Sequence, residues 1–214
     1  STGLEVGNVE LFKVLGEYNN GSFSFSRVVE NALTNKEKYT MLNDDSRPQM
    51  QPIQATNTGY AAGFNVPSSV GGALKSFSVV ARSSGSPGAL TCYVMEDTEL
   101  NKTTVKNLDV EEIGPNKKVI AKSSPVPANK AASPSPVKIE FNFQNLVDGS
   151  YPIVEGGKRY IFIIVAEQSD MSGNKWEIQF SKNAYDNINV DLHTNNKSYT
   201  YAAGVGLVEI TNIG

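Results

Sequence analysis

The sequence predicts an all-β protein, an antiparallel two-sheet β-sandwich preceded by an irregular N-terminal arm. Three observations carry this. Eight or nine short stretches after residue 58 alternate apolar and polar residues, the period of a half-buried strand. The 18 glycines and 10 prolines are spread along the chain, which favours many turns over long helices. Almost no helical period is found between residues 59 and 214, and strands in such a series pack as two antiparallel sheets.

Residues 1–58 differ from the rest. "SFSFS" (22–26) alternates as a short strand would, and "SRVVENALTNKEKYTML" (26–42) places Val29, Leu33 and Lys36 on a helical period. Ser26 is positioned to cap that one short helix. "NDDSRPQMQPIQATNTGY" (43–60) is polar and twice interrupted by proline, the composition of a linker or extended arm. The expected division is therefore an arm over 1–58 and a sandwich domain over 59–214, with a chain starting near Gly59 able to fold alone.

The domain's strands follow in order. "YAAGFNVP" (60–67) ends at a proline, and "ALKSFSVVAR" (73–82) alternates through Phe77, Val79 and Ala81. "GSPGALTCYVMED" (85–97) opens with a turn and then sets Leu90, Cys92 and Val94 against Thr91, Tyr93 and Met95; it reads as one edge of a hairpin. "KKVIAKSS" (117–124) is short. "PVKIEFNFQ" (136–144) is the clearest, with Val137, Ile139, Phe141 and Phe143 inward. "KRYIFIIVAEQ" (158–168) is apolar on both faces and belongs in the centre of a sheet. "KWEIQFS" (175–181) alternates through Trp176, Ile178 and Phe180, and "SYTYAAG" (198–204) and "GLVEITNI" (206–213) complete the set. The stretches 123–136, 146–157 and 169–175 are turn-rich connections, and no internal repeat is found.

The bulk numbers narrow the function. A 214-residue chain buries roughly 70% of its unfolded surface and needs neither metal nor disulfide to fold. A formal charge of −3 speaks against a nucleic-acid surface, which is ordinarily basic. The longest apolar run, "YIFIIVA" (160–166), is far short of a membrane span, so no membrane insertion is expected. "STGLEVGNVE" lacks the basic and apolar regions of a signal peptide, and no initiator Met heads it. The single Cys excludes an internal disulfide, and its inward parity makes Cys92 a core thiol rather than a nucleophile.

The order of features from 60 onward resembles a known group. Phe64, Val66 and Pro67 form an "F-x-V-P" strand end; Arg82, Gly85, Pro87, Gly88 and Leu90 form "R-x-x-G-x-P-G-x-L". Ile120 and Ala121, Phe141 and Phe143, Val154, Gly157 and Tyr160, then Trp176 follow in order. This resembles the jelly-roll modules of bacteriophage tail, baseplate and fibre proteins, which are related to secreted bacterial carbohydrate-binding modules. The resemblance covers roughly the last three quarters of the chain and consists of strand-and-turn grammar, not catalytic motifs. It implies a jelly roll and a non-enzymatic structural or attachment component of a tailed virion. Its expected partners are other virion proteins, copies of itself and a host-surface glycan. A secreted carbohydrate-binding module is the alternative, and a glycan-processing enzyme a remoter one. The insertion "TELNKTTVKNLDVEEIGPNKK" (98–118) departs from the pattern and is the place for a partner contact peculiar to this chain.

Catalytic chemistry finds little footing. A nucleophilic triad needs a base, and only His193 in "NVDLHTNNK" offers one; its polar, turn-forming neighbours suit a solvated loop histidine better. No HExxH, Cys/His cluster or phosphate-cradling loop occurs, so no cofactor is expected. Asp186, Asn187, Asn189 and Asp191 could approach a Ca²⁺ ion, but they lack the glycine and terminal Glu of an EF-hand loop. Trp176 shares the parity of Ile178 and Phe180, so core packing is its first reading. The glycan candidates are Tyr93, Tyr185, Asp186, Tyr199 and Tyr201: ring faces for the apolar side of a pyranose, and a carboxylate for its hydroxyls. Against this stands the plainer role of tyrosines half-exposed on sandwich strands.

Overall fold

The computed structural model describes residues 7–14, 18–19, 22–23, 27–29, 33–41, 48–66, 72–166, 172–181 and 198–210, and side chains from residue 50 onward except 64, 65, 180 and 181. The strands are β1 (Gly7–Val14), β2 (Tyr18–Asn19), β3 (Ser22–Phe23), β4 (Arg27–Val29), β5 (Leu33–Met41), β6 (Pro48–Ile53), β7 (Thr58–Asn65) and β8 (Gly72–Ser84). They continue with β9 (Leu90–Glu96), β10 (Val119–Lys122), β11 (Val137–Asn142), β12 (Ser150–Val154), β13 (Arg159–Ala166), β14 (Lys175–Ser181), β15 (Ser198–Ala202) and β16 (Gly206–Glu209). One short helix, α1 (Glu99–Thr104), lies in the insertion after β9.

Two antiparallel sheets form the sandwich. The 13-residue β8 organises the first. Its Ala81 is in register with Val137 of β11 on one edge and with Ile178 of β14 on the other. The outer partner of β14 is β6. Further along, β8 pairs with β12 and with β1, and β1 in turn pairs with β5. The second sheet runs β10-β9-β13-β7-β15-β16. Counting β6, β7, β8, β9, β10, β11, β13 and β14 as strands one to eight, the two sheets run 1-8-3-6 and 2-7-4-5. That is the strand order of a jelly roll, and the all-β sandwich expected from the sequence is present.

Alternation explains which residues meet between the sheets. Leu90, Cys92 and Val94 of β9 and Phe162 and Ile164 of β13 face Phe77 and Val79 of β8, Ile139 and Phe141 of β11, and Trp176 and Ile178 of β14. Phe77 and Phe162 stack across the gap at 4.3 Å between ring centroids. β13 is central as expected, flanked by β7 and β9. β7 comes so close to it that a Cβ on Gly59 would fall 1.6 Å from the Ile164 carbonyl oxygen.

Several local expectations are revised. Residues 27–29 and 33–41 are strands β4 and β5, not a helix. The weak helical period there, broken by Thr34 and Asn35, yields to the eight-residue ladder that β5 makes with β1. The stretch 85–89 is no hairpin turn. It is a corner carrying the chain from β8 in one sheet to β9 in the other. Gly85 takes φ 73° there, and Asn174 Oδ1 accepts a hydrogen bond from the Ser86 N–H at 2.8 Å. β12 is a strand inside the expected connection 146–157.

The polar stretch 43–58, expected to belong to an arm, contains β6, strand one of the jelly roll. Two prolines are compatible with this because β6 is an edge strand. The Pro52 carbonyl accepts from the Tyr60 hydroxyl at 2.9 Å. In an antiparallel ladder a residue's N–H and C=O point the same way, so the missing N–H of Pro52 faces away from β14. Ile53, 2% exposed, anchors the strand in the core. The point between residues 58 and 59 thus lies at the start of β7, after the first strand of the sandwich.

Candidate functional site

The outer face of the second sheet is apolar and covered. Ile161, Ile163 and Val165 of β13, with Tyr93 and Met95 of β9, form a second hydrophobic cluster completed by Val105 and Leu108 of the insertion. This accounts for the two-faced apolar run at 160–166. α1 begins where the Thr98 side chain accepts from the Asn101 N–H, and the segment after it lays Val105 and Leu108 over the sheet. The insertion is latched to the β15–β16 hairpin: the Tyr201 hydroxyl accepts from the Leu108 N–H at 3.1 Å and donates to the Lys106 carbonyl at 3.3 Å. Lys102 bridges Asp97 at 3.1 Å and Glu99 at 2.8 Å.

Three of the five sequence-derived glycan candidates lie in this cluster. Tyr93, Tyr199 and Tyr201 are 1%, 4% and 3% exposed, so their rings pack beneath the insertion and present no face to solvent. Tyr93 has the parity read from the sequence, opposite to Cys92, and Lys122 Nζ sits 5.3 Å from its ring centroid. Tyr185 and Asp186 lie outside the described residues, as do His193 and the Asn187, Asn189 and Asp191 of the suggested Ca²⁺ set. Among the described residues no cluster of His, Cys, Asp and Glu is placed to hold a metal ion, and no helix is long and apolar enough to cross a membrane. Cys92 is buried, and burial pushes its thiol well above the ordinary range. Trp176 is fully buried and donates from Nε1 to the Gly88 carbonyl at 2.7 Å.

A concave feature among the described residues lies elsewhere. A cleft of about 540 Å³ opens at the side of the sandwich, where β10, the edge of the second sheet, faces β12 of the first. That volume suits a small ligand or a short run of a polymer. The insertion closes one end with Asn101 and the turn 113–118. β12 supplies Pro152 and Ile153, and β10 supplies Ile120.

The floor is pinned by the turn between β12 and β13. The Tyr160 hydroxyl accepts from the Glu155 N–H at 2.8 Å, and burial raises its pKa strongly. Lys158 pairs closely with Glu155 and lies 3.8 Å from Glu96; its pKa is raised, chiefly by the hydrogen bond with Glu155. On the rim Lys117 pairs with Glu112 at 2.7 Å, and that contact holds the Glu112 carboxyl below its usual range. Lys118, Lys122, Asn116 and Asn145 add further polar groups. The lining therefore mixes ammonium, carboxylate and amide groups with a few aliphatic side chains, an inventory for binding a hydroxylated ligand.

Sequence reasoning singled out none of these residues as ligand groups, because they come together only in space. One signal was available in the insertion, where "GPNKK" (114–118) puts two lysines beside a proline-glycine turn. No protein-family model matches the chain, and no curated protein sequence matches it.

Proposed function

We propose that this chain is a non-enzymatic structural and attachment component of a tailed bacteriophage virion, and that it holds a host-surface glycan in the cleft between β10 and β12. The observation that carries the binding half is the mixed lining just described. Amide and charged groups beside Ile120 and Pro152 can meet both the hydroxyls and the apolar patches of a sugar. The virion half rests on the resemblance carried by "GFNVP", "RSSGSPGAL" and the strands after them, together with the jelly-roll strand order. The buried, protonated Cys92 supports the absence of a cysteine nucleophile.

The test is direct. The full chain is titrated calorimetrically with polysaccharides purified from bacterial surfaces, and its sedimentation with intact cells is measured in parallel. Saturable binding to a surface polysaccharide is expected; no binding to any of them removes the attachment role. Association with virion proteins and with further copies of the chain belongs to the same proposal. A mass of one chain by light scattering at all concentrations would remove the oligomer.

A further inference from the structure

We infer that the cleft selects anionic glycans, sugars bearing carboxylate or phosphate, over neutral ones. This rests on the glycan-holding reading above. Four lysines line the cleft, Lys117, Lys118, Lys122 and Lys158, against two glutamates, Glu96 and Glu155. Both glutamates lie against the same Lys158, and Glu112 pairs with Lys117 on the rim, so four ammonium groups stand against three carboxylates and the local excess is positive. Lys117, Lys118 and Lys122 stand on the opposite side, on β10 and the turn that leads into it, with Lys117 against Glu112 and Lys122 beside the Tyr93 ring. The chain as a whole carries −3, so this is a local reversal of sign and not a reflection of bulk charge. A concave wall with an excess of one sign concentrates ligands of the other.

A nucleic acid would also be an anion. Single-strand binding, however, relies on exposed rings on which bases stack. The two aromatic residues lining the cleft, Phe143 and Tyr160, are each 3% exposed. The groups that remain on the surface are amide, aliphatic, ammonium and carboxylate, with the ammonium groups in excess, which fits an acidic sugar polymer better.

The experiment compares four probes by calorimetry on the full chain: polygalacturonate, its methyl-esterified neutral form, poly(glycerol phosphate) and single-stranded oligothymidylate. At low salt the first or third is expected to bind at least about tenfold more tightly than the neutral polymer. The difference should collapse near 1 M NaCl, where the screening length is about 3 Å. Whichever of the two binds better identifies the acid group. The double variant Lys118→Glu with Lys122→Glu should lose about tenfold, from one half-buried and one exposed charge contact of up to about fivefold each. Lys130→Glu with Lys138→Glu changes net charge equally at exposed positions away from the cleft and should stay within about twofold.

Thermal melts of both double variants show that each is folded. Equal, salt-insensitive binding of the neutral polymer would overturn charge selection and leave the glycan reading standing. Binding of none of the polysaccharides would fail the glycan reading itself. Tightest binding to oligothymidylate, or equal losses in both double variants, would overturn the inference.

Discussion

The indole of Trp176 on β14 and the carbonyl of Gly88 in the β8–β9 corner are joined by a 2.7 Å hydrogen bond. The contact ties the first sheet to the segment by which the chain enters the second. Trp176→Phe keeps an aromatic ring but removes the donor and part of the volume. A loss of about 2 kcal/mol is expected, combining a lost hydrogen bond with a partial cavity. Trp176 is the sole tryptophan, so the urea midpoint must be followed by circular dichroism. An unchanged midpoint would mean the corner contributes nothing.

Two neighbouring tyrosines should respond in opposite directions. Tyr201 hydrogen-bonds the insertion backbone at both Leu108 and Lys106, so Tyr201→Phe is expected to cost about 1 kcal/mol. It should also make the 98–118 segment easier to cleave with protease. The Tyr199 hydroxyl is buried without a hydrogen-bond partner among the described residues. Removing an unsatisfied group is neutral or favourable, so Tyr199→Phe should leave stability unchanged or raise it by about 1 kcal/mol. Equal losses in both variants would contradict this difference.

Alkaline pH should weaken the fold. Burial raises the phenol pKa values of Tyr160, Tyr199 and Tyr201. In the unfolded chain these groups titrate near about 10. Their contribution is complete below that value and falls as pH rises toward the folded-state values, because the unfolded chain then loses protons first. Urea midpoints should drop between about pH 9 and about pH 11, and Tyr160→Phe should flatten the drop. A rising midpoint over that interval would reverse the sign.

A chain beginning at Gly59 lacks β6, the first jelly-roll strand, and with it the Ile53 anchor. β14 then presents a bare edge along its pairing with 48–53, and unpaired edges promote aggregation. Such a chain is expected to be poorly soluble and to melt broadly. A sharp transition at the temperature of the full chain would show that β6 is dispensable.

Much of the sandwich was legible because alternation is a local signal. β11, with Ile139 and Phe141 inward, and the two-faced β13 both stand where their patterns place them. β6 and β12 were harder to see, since Pro52 and Pro152 read as breakers unless the strand is known to be short or at an edge. Tyr93 shows a different difficulty. Its parity was readable, but whether its face meets water depends on Val105 and Leu108 folding back over the sheet. The cleft was less legible still, because Lys118 is far in sequence from Pro152 and Lys158 and meets them only where the edge of one sheet faces the other.

Whether a glycan sits between β10 and β12 is decided by amide chemical-shift mapping of this 23.1 kDa protein. Spectra are recorded while the polysaccharide that binds best by calorimetry is added to the full chain. With a glycan held there, the perturbed amides cluster in residues 113–122 and 143–160, on the walls and floor of the cleft. Shifts concentrated around Tyr185 and Asp186, or spread without a focus, would contradict that placement.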